Sequence, residues 1–307
     1  MKKILFIIFI SFYLISSSNA VGYRYGDTVK DIFEPTRKFK IDLPPGKWIV
    51  AQSNRDAFYG LRWKSYILVR LENGKVTELI GYEEMYPADK YINYVNDAII
   101  QVMFKNEYDG CYERPEYYYL NFYRKGVTFN CLRAGHRDLN DRVYHPKDPE
   151  LRNVYSQLKK WLRSNSIDLP NIGFWSDHSY FSRLSKGSLF RLSYFADPSV
   201  LNAPNISFFT EETSEYHRNR IQEFPEHEKI MKKWTSISAD RHVKFENAIE
   251  ALDRHLLNLS ELTSSDDSTS INQSNDTVEQ LKKLNDLYKA GVLSKEEFEK
   301  AKKKILN

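Results

Sequence analysis

The chain has 307 residues, 41% of them hydrophobic and 14% aromatic, with 45 Lys and Arg against 41 Asp and Glu. That apolar content suffices to bury a core and excludes a chain that stays unfolded throughout. A formal net charge of +4 gives no electrostatic ground for proposing nucleic acid or an anionic membrane as partner.

Lys2 and Lys3 precede an apolar run from Ile4 to Ile15, broken only by Ser11, and "SSSNA" then places Ser18 and Ala20 where a signal peptidase reads small residues. The pattern predicts a cleaved signal peptide over residues 1–20. A run of about twelve residues rises only about 18 Å, short of the roughly 30 Å hydrocarbon core. Cys111 is the first cysteine, so no lipid-modified cysteine is available near the cleavage site. The expectation is a secreted protein, periplasmic or extracellular, with no transmembrane anchor after cleavage. Cleavage removes two lysines, leaving 43 basic against 41 acidic residues.

Residues 21–262 read as one α+β domain, an antiparallel sheet with packed helices. "RKFKIDLPPGKWIVAQS" gives two extended segments either side of a turn at Pro44, Pro45 and Gly46. "SYILVRLENGKVTELIGYEE" is a hairpin pattern with its turn at Asn73 and Gly74. "AIIQVMF" and "YYYLNFYRKGVTFNC" supply further strands, so the sheet should have at least five. In "DPELRNVYSQLKKWLRSN", Leu151, Val154, Tyr155, Leu158, Trp161 and Leu162 share one helical face. "SLFRLSYFAD" reads as another strand. Phe245, Ile249, Leu252, Leu256 and Leu259 recur at spacings that predict a helix of about twenty residues lying against the sheet. The opening "IDLPPGKWIV" followed by strands is loosely similar to secreted domains of the PsbP and DcrB type.

Cys111 and Cys131 are most simply a disulfide in an oxidising compartment. Closing a loop of that size stabilises a fold by roughly 3 kcal/mol. Free thiols and a redox pair are the alternatives, and the C-x-x-C spacing usual for the latter is missing. In "YYYLNFY", strict alternation puts Tyr118, Leu120 and Phe122 on a core face and Tyr117, Tyr119, Asn121 and Tyr123 on the other. Tyr117, Tyr119 and Tyr123 could stack a sugar or peptide, or pack under a helix or across strands.

Catalytic patterns are incomplete. "HRDLN" resembles a kinase catalytic loop, but the asparagine expected five positions after Asp138 is Val143. His227 and Glu228 begin like a zinc protease helix, but Met231 stands at the second histidine position. Ser176, Asp177 and His178 are adjacent, whereas a nucleophile and its base normally meet through the fold. A dispersed triad would draw on distant positions, for example His145 or His178 with an acid. No catalytic residue, metal ligand or cofactor is therefore assigned.

Residues 263–276, "TSSDDSTSINQSND", hold one apolar residue, Ile271, and read as a flexible polar linker. Beyond it, Thr277 and Gln280 form a capping box for a first helix with Val278, Leu281, Leu284, Leu287 and Tyr288 on its apolar face. Gly291 stands where a left-handed C-cap is wanted. Ser294 and Glu297 cap a second helix, Leu293 staples onto Phe298, and Ala301, Ile305 and Leu306 continue its apolar face. The segment "LKKLNDLYKAGVLSKEEFEKAKKKIL" closely resembles the short C-terminal domain, or SHOCT, family. The resemblance implies a helical hairpin at residues 277–307 acting in oligomerisation or protein interaction. Its expected interaction positions are Leu281, Leu284, Tyr288, Gly291, Leu293, Phe298, Ile305 and Leu306.

Two function classes follow. The first is a non-enzymatic binding or envelope-associated domain whose tail joins it to itself or to another envelope protein. The second is a periplasmic hydrolase of envelope polymers with a dispersed active site.

Overall fold

The strand patterns of the first half and the mixed patterns of the second fold onto one another as a sheet covered on both faces. The computed structural model describes residues 22–58, 61–87, 111, 117–125, 128–145, 154–181, 188–204, 210, 212–251, 254–260 and 302. Two compact units divide the chain, Met1–Thr263 and Ser264–Asn307. In the second unit only Lys302, helical in conformation, is described. "AIIQVMF" and the eight expected interaction positions of the tail lie outside the described residues.

Three short strands come first, β1 (Thr28–Val29), β2 (Ile32–Phe33) and β3 (Lys40–Asp42). The turn at Pro44 to Gly46, with Gly46 at φ 133°, passes the chain to three long ones, β4 (Trp48–Phe58), β5 (Leu61–Glu72) and β6 (Lys75–Pro87). Asn73 and Gly74 both take positive φ, 52° and 77°, the pair of conformations a two-residue hairpin turn demands. Next come β7 (Tyr117–Lys125), β8 (Thr128–Asp138), helix α1 (Leu139–Tyr144) and helix α2 (Ser156–Ser164). The domain continues with β9 (Ile172–Phe181), β10 (Leu189–Ala196), the long helix α3 (Pro225–Glu250) and β11 (His255–Asn258).

Among the described residues, eight strands form one sheet in the order β1-β4-β5-β6-β10-β9-β8-β7, antiparallel throughout. It is two meanders, β4 to β6 and β7 to β10, joined where β10 lies beside β6. A smaller sheet orders β11-β3-β2, with β11 parallel to β3. The molecule is thus mostly antiparallel sheet with few helices.

Each face of the large sheet has its own core. Trp48, Val50, Tyr66, Leu68, Ile80, Tyr82, Leu192 and Tyr194 meet Met231, Trp234, Phe245 and Ile249 of α3, with Leu256 and Leu257 of β11. Ala51, Ile67, Val69, Leu79 and Phe195 meet Leu139 and Val143 of α1 and Leu158, Trp161 and Leu162 of α2 on the opposite face. A bulge in β4 between Val50 and Gln52 helps seat α2, whose N-terminus lacks a capping side chain of its own. The Gln52 Oε1 accepts from Leu158 N at 3.4 Å, and its Nε2 donates to Val154 O at 2.7 Å.

Two expectations change. The apolar stripe from Phe245 to Leu259 is not one helix: α3 ends at Glu250, and Leu256 lies in β11. Phe245, Ile249, Leu256 and Leu259 are all buried in the same core, so burial is as expected, but Leu256 reaches it from a strand and Leu259 from just beyond that strand. Spacings of three and four suit a helix, yet a short strand reaches the same core with its own residues. The helix starts at Pro225, further upstream, where its buried stripe is largely polar, including Thr235, Ser238, Arg241 and His242, and so carries no apolar period. The second change concerns β7. Phe122 is 41% exposed, so the face it shares with Leu120 is core only in part.

Candidate functional site

Sequence neighbours on a strand point to opposite faces, and β9 uses this to build two separate polar centres back to back. All ten residues of β9 are buried, so each polar side chain on it needs a partner.

On the α1 and α2 side, Asp177 is the hub. Register pairs it with Arg133 of β8 and Ser193 of β10. Arg133 Nη2 donates to Asp177 Oδ2 at 2.8 Å, Ser193 Oγ to the same oxygen at 3.2 Å, and Ser179 Oγ to Oδ1 at 2.8 Å. Arg191 stands 3.8 Å from Asp177 through Nε and 3.5 Å from Glu83 through Nη1. Arg133 and Arg137 both lie against the Trp175 ring, at 5.2 and 4.2 Å from its centroid. Beside this network, Cys111 and Cys131 form a disulfide, packed with Phe129, Phe181 and Leu189. Both oxygens of Asp177 are already engaged by donors, which makes it an anchor of the sheet, not a free base.

On the α3 side, His178 faces His242 with Nδ1 atoms 3.3 Å apart and rings stacked at 27°. His242 Nε2 also contacts the Asn130 Oδ1. An amide oxygen only accepts, so His242 carries its proton on Nε2 and its Nδ1 accepts from the Nδ1–H of His178. That leaves the Nε2 lone pair of His178 without a partner among the described residues. Burial pushes the His178 imidazole well below its ordinary range, reinforced by His242 and Arg241. Burial likewise lowers His242 to about 4, against an opposing pull from Asp177. Both rings are neutral at pH 7.

A third centre lies nearby. Glu78 is fully buried, accepts from the Tyr194 hydroxyl and pairs with Arg70. Burial raises its carboxyl, while Tyr194 and then Arg70 pull it down. Arg241 lies over the Tyr194 ring at 5.1 Å and donates from Nη2 to Leu259 O at 2.9 Å.

The incomplete catalytic patterns now have places. Asp177 and His178 lie on opposite faces of β9. In "HRDLN", His136, Arg137 and Asp138 end β8, and Asp138 also caps α1, accepting from Asp141 N at 2.8 Å. His145 is the exposed residue after α1. His227 on α3 packs against Tyr216 and Phe224. No group of three metal-ligating side chains occurs among the described residues.

The strand that carries the tyrosines is interrupted. A bulge in β7 falls between Tyr117 and Tyr119, which pair with Gly135 and Ala134, consecutive residues of β8 on opposite faces. Tyr118 and Tyr119 both pack, half-buried, against the α3-side core, and the Tyr118 hydroxyl donates to Glu228 Oε1 at 3.4 Å. Tyr123 pairs through its backbone with Asn130. No local sequence pattern reveals the histidine pair or the Asp177 network, since they form between positions 64 and 44 residues apart. The signal that could have found them is an arginine and an acid within two strands of an otherwise apolar pattern.

Against known families, residues 279–306 match the model described as "Short C-terminal domain". The tail is a SHOCT domain. The match covers the whole segment Leu281–Leu306 on which the resemblance rests and leaves residues 21–262 unassigned. Comparison with curated proteins and with solved structures finds no match in either, so the likeness to PsbP and DcrB domains gains no counterpart there.

Proposed function

We propose that this protein is secreted to the periplasm or cell exterior, where its antiparallel domain acts as a non-enzymatic binding or envelope-associated module. Its SHOCT domain then joins copies of the chain to one another. The SHOCT match at residues 279–306 carries this reading.

Two further observations and one argument from size support it. The basic and apolar N-terminus has the form of a secretion signal, and the disulfide between Cys111 and Cys131 suits an oxidising compartment. A thirty-residue hairpin has too few apolar side chains to stand alone and gains stability by burying its stripe against a second surface.

The test is a double substitution in residues 21–307, Leu284→Asp with Phe298→Asp, placing a charge on the apolar face of each tail helix. Sedimentation should shift from an assembly to the monomer. Equal sedimentation of the parent and the variant would contradict assembly through the tail.

A further inference from the structure

Of the three buried polar centres, two are closed by opposite charges: Asp177 with Arg133 and Arg191, and Glu78 with Arg70. The histidine pair is not. We propose that His178 and His242 form an acid-sensitive latch that holds α3 on β8 and β9 while both rings are neutral and releases it when the pair takes up protons. This inference does not depend on the tail or its role.

The hydrogen-bond chain has no place for another proton. A second N–H on His242 would sit on Nδ1, aimed at the Nδ1–H of His178 only 3.3 Å away. A second N–H on His178 would sit on Nε2, where no described group accepts it. Either leaves a buried donor unpaired beside a charge.

The surrounding groups offer no relief. From α3, Arg241 adds positive charge, and Glu250 is held by the Tyr180 hydroxyl at 2.5 Å. From β9, Asp177 draws on His242 but is committed to Arg133 of β8 on the other face. From β10 and β6, Tyr194 and Glu78 bind each other. Asn130 of β8 is neutral and Phe245 of α3 is apolar, 6.0 Å from the His178 ring.

Opening need not melt the sheet. The opposite face is held by α1 and α2 and by the disulfide cluster, whose core residues do not include the two histidines. The sign follows from burial: both folded imidazoles are held below the ordinary value of about 6.5, so the closed state is fully favoured above that pH. Its advantage is lost as pH falls toward the value of about 4 held by His242.

The test is hydrogen exchange by mass spectrometry on residues 21–307 at pH 7 and pH 4.5, with times scaled for the chemical exchange rate. Peptides from α3 and β11 should lose protection by about tenfold or more at pH 4.5, while the β5–β6 hairpin keeps its protection. Unchanged protection of α3, or equal loss across the whole domain, overturns the latch. The variant His178→Gln with His242→Gln should retain α3 protection at pH 4.5, and a loss equal to the parent's overturns the proposal. A histidine NMR titration of the parent needs no variant: two rings must stay neutral to below pH 5, and ordinary titration of all seven histidines rules the latch out.

Discussion

Asp177 shows how much one buried carboxylate can organise. Breaking a buried pair from one side costs more than the pair contributes, because the remaining charge stays out of water. Asp177→Ala removes the acceptor for Arg133, Ser179 and Ser193 together, and Arg133 is fully buried. The expected loss is about 3 to 5 kcal/mol, read as a shift in the urea midpoint. A change below about 1 kcal/mol would mean that the ion pair behaves like a surface one. The histidines illustrate the opposite case, in which burial is tolerated only because the groups are uncharged. None of these partners was legible in the sequence. Ser176, Asp177 and His178 could be recognised as adjacent and therefore divergent, but Arg133, His242 and Asn130 come from elements whose register no local rule reveals.

Elements were legible in proportion to how locally they are determined. The Asn73-Gly74 hairpin and β10 form where their patterns place them, since turn chemistry and periodicity suffice, whereas α2 begins only at Ser156, after Val154 and Tyr155, which its stripe placed inside the helix. The N-terminal part of α3 carries no apolar period, because its inward face holds Ser238, Arg241 and His242, whose partners are tertiary. No local pattern marks the bulge in β7 either, and it separates Tyr117 from Tyr119. Packing between elements can be tested at Gly173, where an added Cβ would lie 2.2 Å from Phe195 Cζ and 2.7 Å from Ala196 O. The backbone oxygen cannot swing aside as a side chain can. Gly173→Ala should therefore cost about 2 kcal/mol or more, lowering the urea midpoint with an unchanged slope. An unaltered midpoint would show that β9 and β10 yield at this point.

For the whole molecule, the sequence conveyed a strand-rich region and, independently, a tail whose capping boxes, glycine and apolar stripes agree with one another. The tail was readable because every signal in it is local; the order of the large sheet was not, because joining β6 to β10 brings together strands more than a hundred residues apart in the chain. The resulting picture is a disulfide-stapled sheet domain followed by a SHOCT domain, which we propose assembles it. Light scattering of residues 21–307 beside residues 21–262 tests that picture most directly. A dimer or larger species that becomes monomeric on truncation is the predicted result, and two monomers of the expected masses would contradict it.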